Sequence, residues 1–373
     1  MIRAGWTVIA GAALLLAGAL GGGCTDEFQG GGDGGYDDTY WPPTTDGGNG
    51  TPRPKCPGEE SDILGTVVAP NGVDPVPGAT VFIPGKVPEL FPPDVRCEVC
   101  AHLGSTNNLW QTTTKFDGTF KLPMVCPGKR PLVIQNGRFR RLIYVDVPRK
   151  QALTLGKDRT RLPRRMKEFH QADAIPRIAI ATGDYDKMEC VLRKMGLQMD
   201  LNAMRKPGAD IRLLEGSTAK KAGSLSPASK LFNNLTEMKT YNIIFINCTA
   251  NTFESELKKA TVRQNLTSYV NAGGRLYVTD WSYDWIEQVS AFSPFIDFEP
   301  GASGNQPEPQ NKAAMGADGL KVQATIKDSQ MAGWLGLFPG AIKGGRSLIE
   351  HFLIDWVIIH KLNTESKLWV EGN

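Results

Sequence analysis

The sequence predicts a multidomain chain, a small β-sandwich followed by a doubly wound α/β sheet. Three observations carry that prediction. The 373 residues leave room for two or three domains. Between 62 and 148, short alternating runs are separated by turn residues, with no helical period. From 176 onward, apolar strand-like runs alternate with segments of helical period. Hydrophobic residues make up 41% and charged residues 22%, which excludes a wholly disordered chain. A net charge of +3 is too small to point to nucleic acid as a partner. Seven cysteines leave one that stands apart from any pairing.

Residues 1–23 explain the odd cysteine. Arg3 supplies a positive start, and Thr7 to Leu20 is an apolar run too short to span a bilayer. Gly21, Gly22 and Gly23 lead directly to Cys24. This segment resembles a bacterial lipoprotein signal peptide, with Leu20 four residues before Cys24 rather than three. The resemblance implies cleavage before Cys24, lipidation of its thiol and anchorage in a membrane. Thr25 follows Cys24 where an Asp would imply inner-membrane retention, so the resemblance implies the outer membrane, facing the periplasm or the cell surface.

Residues 24–55 read as a tether. Of residues 25–55, eight are Gly, five Asp and four Pro, and none is aliphatic, so little apolar area could offset ordering entropy. Such a coil reaches roughly 30 Å. Tyr36, Tyr40 and Trp41 interrupt it, either as a docking motif or as tolerated aromatics.

Residues 56–148 follow as the sandwich. ILGTVVAPNG is a strand ending in a turn, and PVPGATVFI holds a second after Pro77-Gly78. TTTKFDGTFKL reads as a hairpin about Asp117-Gly118, and PLVIQNGRFRRLIYVDV as another about Asn136-Gly137. The spacing of Ile63/Gly65/Val67, Pro75/Gly78/Ala79/Val81, Asp117/Gly118/Phe120/Leu122 and Gly128 resembles the carboxypeptidase regulatory-like domain, an Ig-like sandwich. That resemblance implies a structural or adhesive module without catalytic residues.

An insertion at 84–111 carries Cys97, Cys100 and His102, flanked by Cys56 and Cys126. One reading is a zinc site. The other is two disulfides, which an exported chain can keep. The second is preferred, with no metal and no cofactor expected.

Residues 149–173 read as a basic connector. Across 138–167, eleven Lys and Arg face only Asp146 and Asp158. This is either a solvated link or an electrostatic patch for anionic glycans, headgroups or a partner protein.

Residues 174–373 read as the α/β domain. Strands are expected at 176–182, IRLLEG, 241–248 and 275–281, and helices at DKMECVLRKMG, ESELKKATVRQNLTSYVNAGG and 347–362. SKLWVE closes the domain as a last strand. Tyr241 to Phe245, Leu266/Tyr269/Val270/Gly273/Gly274 and Leu276 to Val278 are similar to class I glutamine-amidotransferase-like domains, including the trehalose-utilisation-like branch. That similarity implies a flavodoxin/amidotransferase-like sheet. Catalytic members carry a Cys in a Gly-containing turn after the strand that follows Gly-Gly. Here the stretch Thr279 to Trp285 has neither, so the domain reads as degenerate.

Two nucleophiles remain for an enzymatic alternative, a hydrolase or amidotransferase using Ser282 or Cys248, with His351 and His360 as bases. Cys190 and Cys248 are read first as a third disulfide, otherwise as two thiols. Asp280, Trp281, Tyr283, Asp284 and Trp285 form an aromatic-acidic cluster at a strand's C-terminal end, suited to sugar or peptide recognition, or else to core packing. The leading expectation is a lipid-anchored, non-catalytic binding or scaffold protein for a glycan or envelope protein, with no nucleic-acid partner. The combined architecture looks like that of myxobacterial lipoproteins.

Overall fold

The computed structural model describes residues 55–96, 108–217, 225–249, 254–300, 309–316, 321–350 and 357–372. The signal, the tether, Cys97, Cys100, His102 and His351 lie outside the described residues. The fold is mixed α/β, with several sheets and short helices. Two compact units divide it. One holds the described residues of 55–91 and 108–175, and the other holds 176–372 together with Pro92–Arg96.

The first unit contains β1 (Ser61–Thr66), β2 (Thr80–Pro84), β3 (Asn108–Thr113), β4 (Thr119–Val125), β5 (Gly128–Asn136), β6 (Phe139–Val147), β7 (Leu153–Leu155) and α1 (Lys157–Thr160). Its sheets run β4-β1-β7 and β3-β2-β5-β6. Ile63, Leu122 and Leu155 of the first meet Val81, Ile134 and Val145 of the second in one apolar core. Alternating side chains on each strand make this possible, because every second residue faces inward. The β5–β6 pair turns at Gly137 as expected, with Asn136 opposite Phe139.

The expected hairpin about Asp117-Gly118 is corrected. β3 pairs with β2 and β4 with β1, so this turn carries the chain from one sheet to the other. The reason is burial: Trp110 and Leu122 both point into the shared core, and the Trp110 indole N–H donates to the Met124 carbonyl at 2.9 Å. A disulfide joins Cys56 to Cys126, with Cα atoms 5.7 Å apart.

The basic segment is corrected from a solvated link to a structural strap. β7 pairs in parallel with β1, and residues 172–174 lie along the outer edge of β6. The Asp173 carboxylate is fully buried and accepts from the N–H groups of Leu142, Phe169 and His170 at 2.9–3.1 Å. Arg140 donates to the Ala172 and Glu89 carbonyls, and Arg141 to those of Asp158 and Arg161. An unpaired strand edge invites association, and this strap covers it.

The second unit contains β8 (Ile178–Ala181), α2 (Met188–Lys194), α3 (Leu201–Met204), β9 (Ile211–Glu215), β10 (Ser226–Pro227), α4 (Ala228–Phe232), α5 (Leu235–Met238), β11 (Ile243–Ile246), α6 (Glu254–Leu257), α7 (Ala260–Asn271), β12 (Arg275–Val278), α8 (Asp284–Glu287), β13 (Ile296–Phe298), β14 (Val322–Ile326), α9 (Ser329–Leu335), β15 (Arg346–Ile349), β16 (Ile359–Leu362) and β17 (Val370–Glu371). Its main sheet is parallel, in the order β10-β9-β8-β11-β12. The four expected strands and the 254–274 helical region are present, the latter as two helices broken at Lys259.

Two expectations fail here. In α2 only Leu192 is buried, while Val191 and Met195 stay exposed, so the inferred apolar face is a single contact. The 347–362 helix is replaced by strands at both ends, β15 and β16, paired with β14 and β13. The run is dense in Leu, Ile and Val, where period separates helix from strand poorly, and its Ile and Val residues favour the pleated state.

Candidate functional site: the sheet switch point

The chain leaves β8 for β9 on one side and returns to β11 on the other. This reversal is the switch point of the sheet, the usual place for a ligand in open α/β sheets, and here the loops after β8 and β11 touch, the Tyr185 N–H donating to the Cys248 carbonyl at 3.3 Å. Gly183 follows β8 and Gly216 follows β9. A Cβ at Gly183 would overlap the Cys248 carbonyl oxygen, and one at Gly216 the Thr182 carbonyl oxygen. Glycine here lets three loops close upon one another.

Asp184 ties these loops together. Its Oδ2 accepts from Ser217 Oγ at 2.9 Å and Thr249 Oγ1 at 2.6 Å. Asn247 is buried and donates from Nδ2 to Glu189 Oε2 at 3.1 Å, while its Oδ1 has no hydrogen-bond partner among the described residues. Thr279 Oγ1 accepts from the Cys248 N–H at 2.8 Å. The result is a polar network of hydroxyls, amides and carboxylates from the ends of four strands, with Ser217, Asn247, Thr249 and Thr279 buried in it. The sequence reading missed Asp184, Ser217, Asn247 and Thr249. The available signal was Gly183-Asp184 directly after a buried strand.

The aromatic-acidic cluster divides. Asp280 and Trp281 remain partly exposed. Asp280 adopts φ +36°, unusual for a residue with a side chain. Its Oδ1 accepts from the Val357 N–H at 2.9 Å, and its Oδ2 faces Cys248 Sγ at 3.6 Å. Burial pushes its carboxyl above the ordinary range, outweighing these donors.

Tyr283, Asp284 and Trp285 are corrected from ligand contacts to core residues. Trp285 is fully buried, its ring centroid 4.2 Å from that of Phe232. Tyr283 packs 5.0 Å from Phe298, and its hydroxyl oxygen accepts from the N–H groups of Lys312 and Ala313. Asp284 accepts from the Asn311 N–H at 2.9 Å. The Tyr283 hydroxyl and the Asp284 carboxylate can be buried because each finds a backbone partner indoors.

The third disulfide is also corrected. Cys190 and Cys248 are free thiols. Cys190 lies on the exposed side of α2, while Cys248 ends β11 and turns its thiol inward toward Asp280. Iodoacetamide is therefore expected to label Cys190 in the native chain and Cys248 only after denaturation. Peptide mapping of the alkylated protein checks this, and native labelling of Cys248 would contradict it.

Neither nucleophile is prepared for attack. Burial, followed by the Asp280 charge, pushes the Cys248 thiol far up, so the thiolate is disfavoured. Ser282 is fully buried and donates to the Asn247 carbonyl at 2.9 Å. His360 sits on β16, paired through Nδ1 with Glu299 at 2.6 Å. Among the described residues, no group of three or more His, Cys, Asp or Glu is arranged to hold a metal ion. No helix among them is long and apolar enough to cross a membrane.

Asp280→Asn is expected to stabilise the fold at pH 7. The wild-type carboxyl has a raised folded-state pKa, so stability is complete below the unfolded value near pH 4 and falls as pH rises through the folded one. Asn keeps the acceptor for Val357 and tolerates positive φ. Its gain in melting temperature over wild type should grow from acid to neutral pH. An equal or lower melting temperature at pH 7 would contradict the burial assigned to Asp280.

No protein-family profile matches the chain, and no curated protein does. Among solved structures it is similar to a type II cohesin–X-dockerin complex from Acetivibrio cellulolyticus, at 14% identity and a TM-score of 0.21. The match covers 40% of this chain and 88% of that one.

Proposed function

We propose that the chain is a lipid-anchored protein of the bacterial cell envelope that binds a glycan or an envelope protein without acting on it chemically. In this reading Cys24 carries the lipid, the protein sits in the outer membrane, and residues 25–55 hold the folded part away from the bilayer. The first unit is read as a carboxypeptidase regulatory-like sandwich. The second is read as a degenerate amidotransferase-like domain. The Cys56–Cys126 disulfide supports an oxidising compartment.

The observation that carries the binding reading over the enzymatic one is the state of the two nucleophiles. Cys248 is buried against a carboxylate that opposes its ionisation, and Ser282 is sealed in the core on a backbone partner. The switch point instead offers the partly exposed Asp184, Asp280 and Trp281, with Ser217 and Thr249 buried behind Asp184, a set that suits hydroxyl-rich or amide-bearing ligands.

The test is binding of the chain from residue 24 onward to a glycan array and to isolated envelope proteins, with Asp184→Ala and Trp281→Ala alongside. Circular dichroism controls for folding. Loss of about 1–2 kcal/mol per removed contact means weakening of roughly tenfold. No ligand for the wild type, variants that bind as well as it does, or turnover of a bound ligand would each overturn the reading.

A further inference from the structure

The β unit carries a face that the binding reading does not use. Tyr144 on β6 and Phe169 on the strap are 44% and 50% exposed. They are linked along one continuous surface. The Tyr144 ring lies 6.3 Å from His170, the neighbour of Phe169. Lys129 stands 5.5 Å over the Tyr144 ring, and Arg159 donates to the Tyr144 carbonyl at 2.6 Å. The Arg141 and Arg161 guanidinium groups lie 4.0 and 4.9 Å from the Phe169 ring. Lys157, Arg165 and Lys167 on the same strap are exposed. Residues 55–175 carry 18 Lys and Arg against 12 Asp and Glu.

The complement lies in the same chain. Residues 25–52 hold six carboxylates and no Lys or Arg, with Phe28, Tyr36, Tyr40 and Trp41 among them. The disulfide fixes where this segment is rooted. Lys55 precedes Cys56, and Cys56 is bonded to Cys126, three residues before Lys129. Three residues span at most about 10 Å, so the root lies beside the edge of the patch. The fifteen residues from Trp41 to Lys55, fourteen Cα-to-Cα steps, can extend about 48 Å, enough to reach any point on a unit of this size.

We infer that the acidic, aromatic segment 33–46 of this chain docks on the basic face formed by Lys129, Tyr144, Arg159, Phe169 and Lys167 of its own β unit. Opposite charge draws the segment in, and its Tyr and Trp rings meet exposed aromatic and cationic faces. A short linker holds it there at an effective concentration near the millimolar range, so a weak contact suffices. Docking shortens the tether, and an anionic competitor lengthens it again. An anionic membrane matches the charge but supplies no aromatic partners. The inference stands whether or not Cys24 is lipidated and whether or not the switch point binds a ligand.

The test uses the chain from residue 25 onward, with and without its six tether carboxylates changed to Asn or Gln. A fluorescent peptide of residues 33–46 is added in trans, and small-angle scattering follows the maximum dimension against salt. Docking predicts that the peptide binds the neutralised chain on the order of tenfold more tightly than the wild type, whose own tether competes. Binding should weaken above 0.3 M salt and be lost in Lys129→Glu/Lys167→Glu, two exposed positions. The wild type should lengthen with salt, and the neutralised chain should not. If Lys129→Glu/Lys167→Glu loses its fold by circular dichroism, Lys167→Gln alone must weaken the peptide severalfold. Peptide binding indifferent to tether or patch, or dimensions indifferent to salt, would overturn the inference. So would tighter binding of phosphatidylglycerol vesicles by the wild type than by the neutralised chain.

Discussion

Trp285→Ala lowers the stability of the α/β unit by about 3–5 kcal/mol, the range for removing a large aromatic from a packed core. Trp285 is fully buried, and its ring meets Phe232 while neighbouring core positions are filled by Tyr241, Tyr269 and Leu266. Little in that setting can collapse into the vacated volume. For a unit of about 200 residues the melting temperature should fall by roughly 10–15 °C. Trp281→Ala, at a half-buried position, should cost about 1 kcal/mol. Calorimetry on both variants checks the assignment. Comparable small losses at the two positions would mean that Trp285 is a surface residue after all.

Cys56→Ala/Cys126→Ala removes about 4 kcal/mol from the β unit. The bond spans 70 residues, and in the chain-entropy description a loop of that length constrains the unfolded state by about this amount. The loss should be reproduced in the wild type by a reducing agent, and the double variant should then show no further response. Equal melting temperatures with and without reductant would contradict a structural role for the bond. Of the six cysteines after Cys24, this pair is the one whose partnership also fixes where the tether begins.

The two halves of the chain were not equally legible. The main sheet of the second unit follows from its text, because buried parallel strands such as Ile243–Ile246 are short apolar runs with turn residues on either side. The final region reads as a helix because Leu, Ile and Val crowd it closely enough to mask the period that separates helix from strand. The hairpin error has a similar origin. Turn residues mark where the chain reverses, but they do not say whether the two strands stay in one sheet. The basic segment reads as a solvated link because charge suggests solvent, and Lys157, Arg165 and Lys167 are exposed, but β7 pairs with β1 and the buried Asp173 carboxylate ties the segment to β6.

The candidate site shows the same limit. A Trp-rich acidic stretch after a strand draws attention in a sequence, yet Tyr283 and Trp285 serve the core and the Asp284 carboxylate caps a loop. Asp184 drew none, since its partners Ser217 and Thr249 are 33 and 65 residues away. Only the strand order brings them together.

Localisation underlies the whole functional proposal, because the oxidising compartment, the tether and the binding role all depend on export and anchorage at one residue. The direct measurement is the intact mass and N-terminal peptide of the protein isolated from bacterial envelope membranes. The proposal predicts a chain that begins at Cys24 with acyl groups on a thioether-linked glycerol. A free Cys24 thiol, or a mature chain that begins elsewhere, would contradict it.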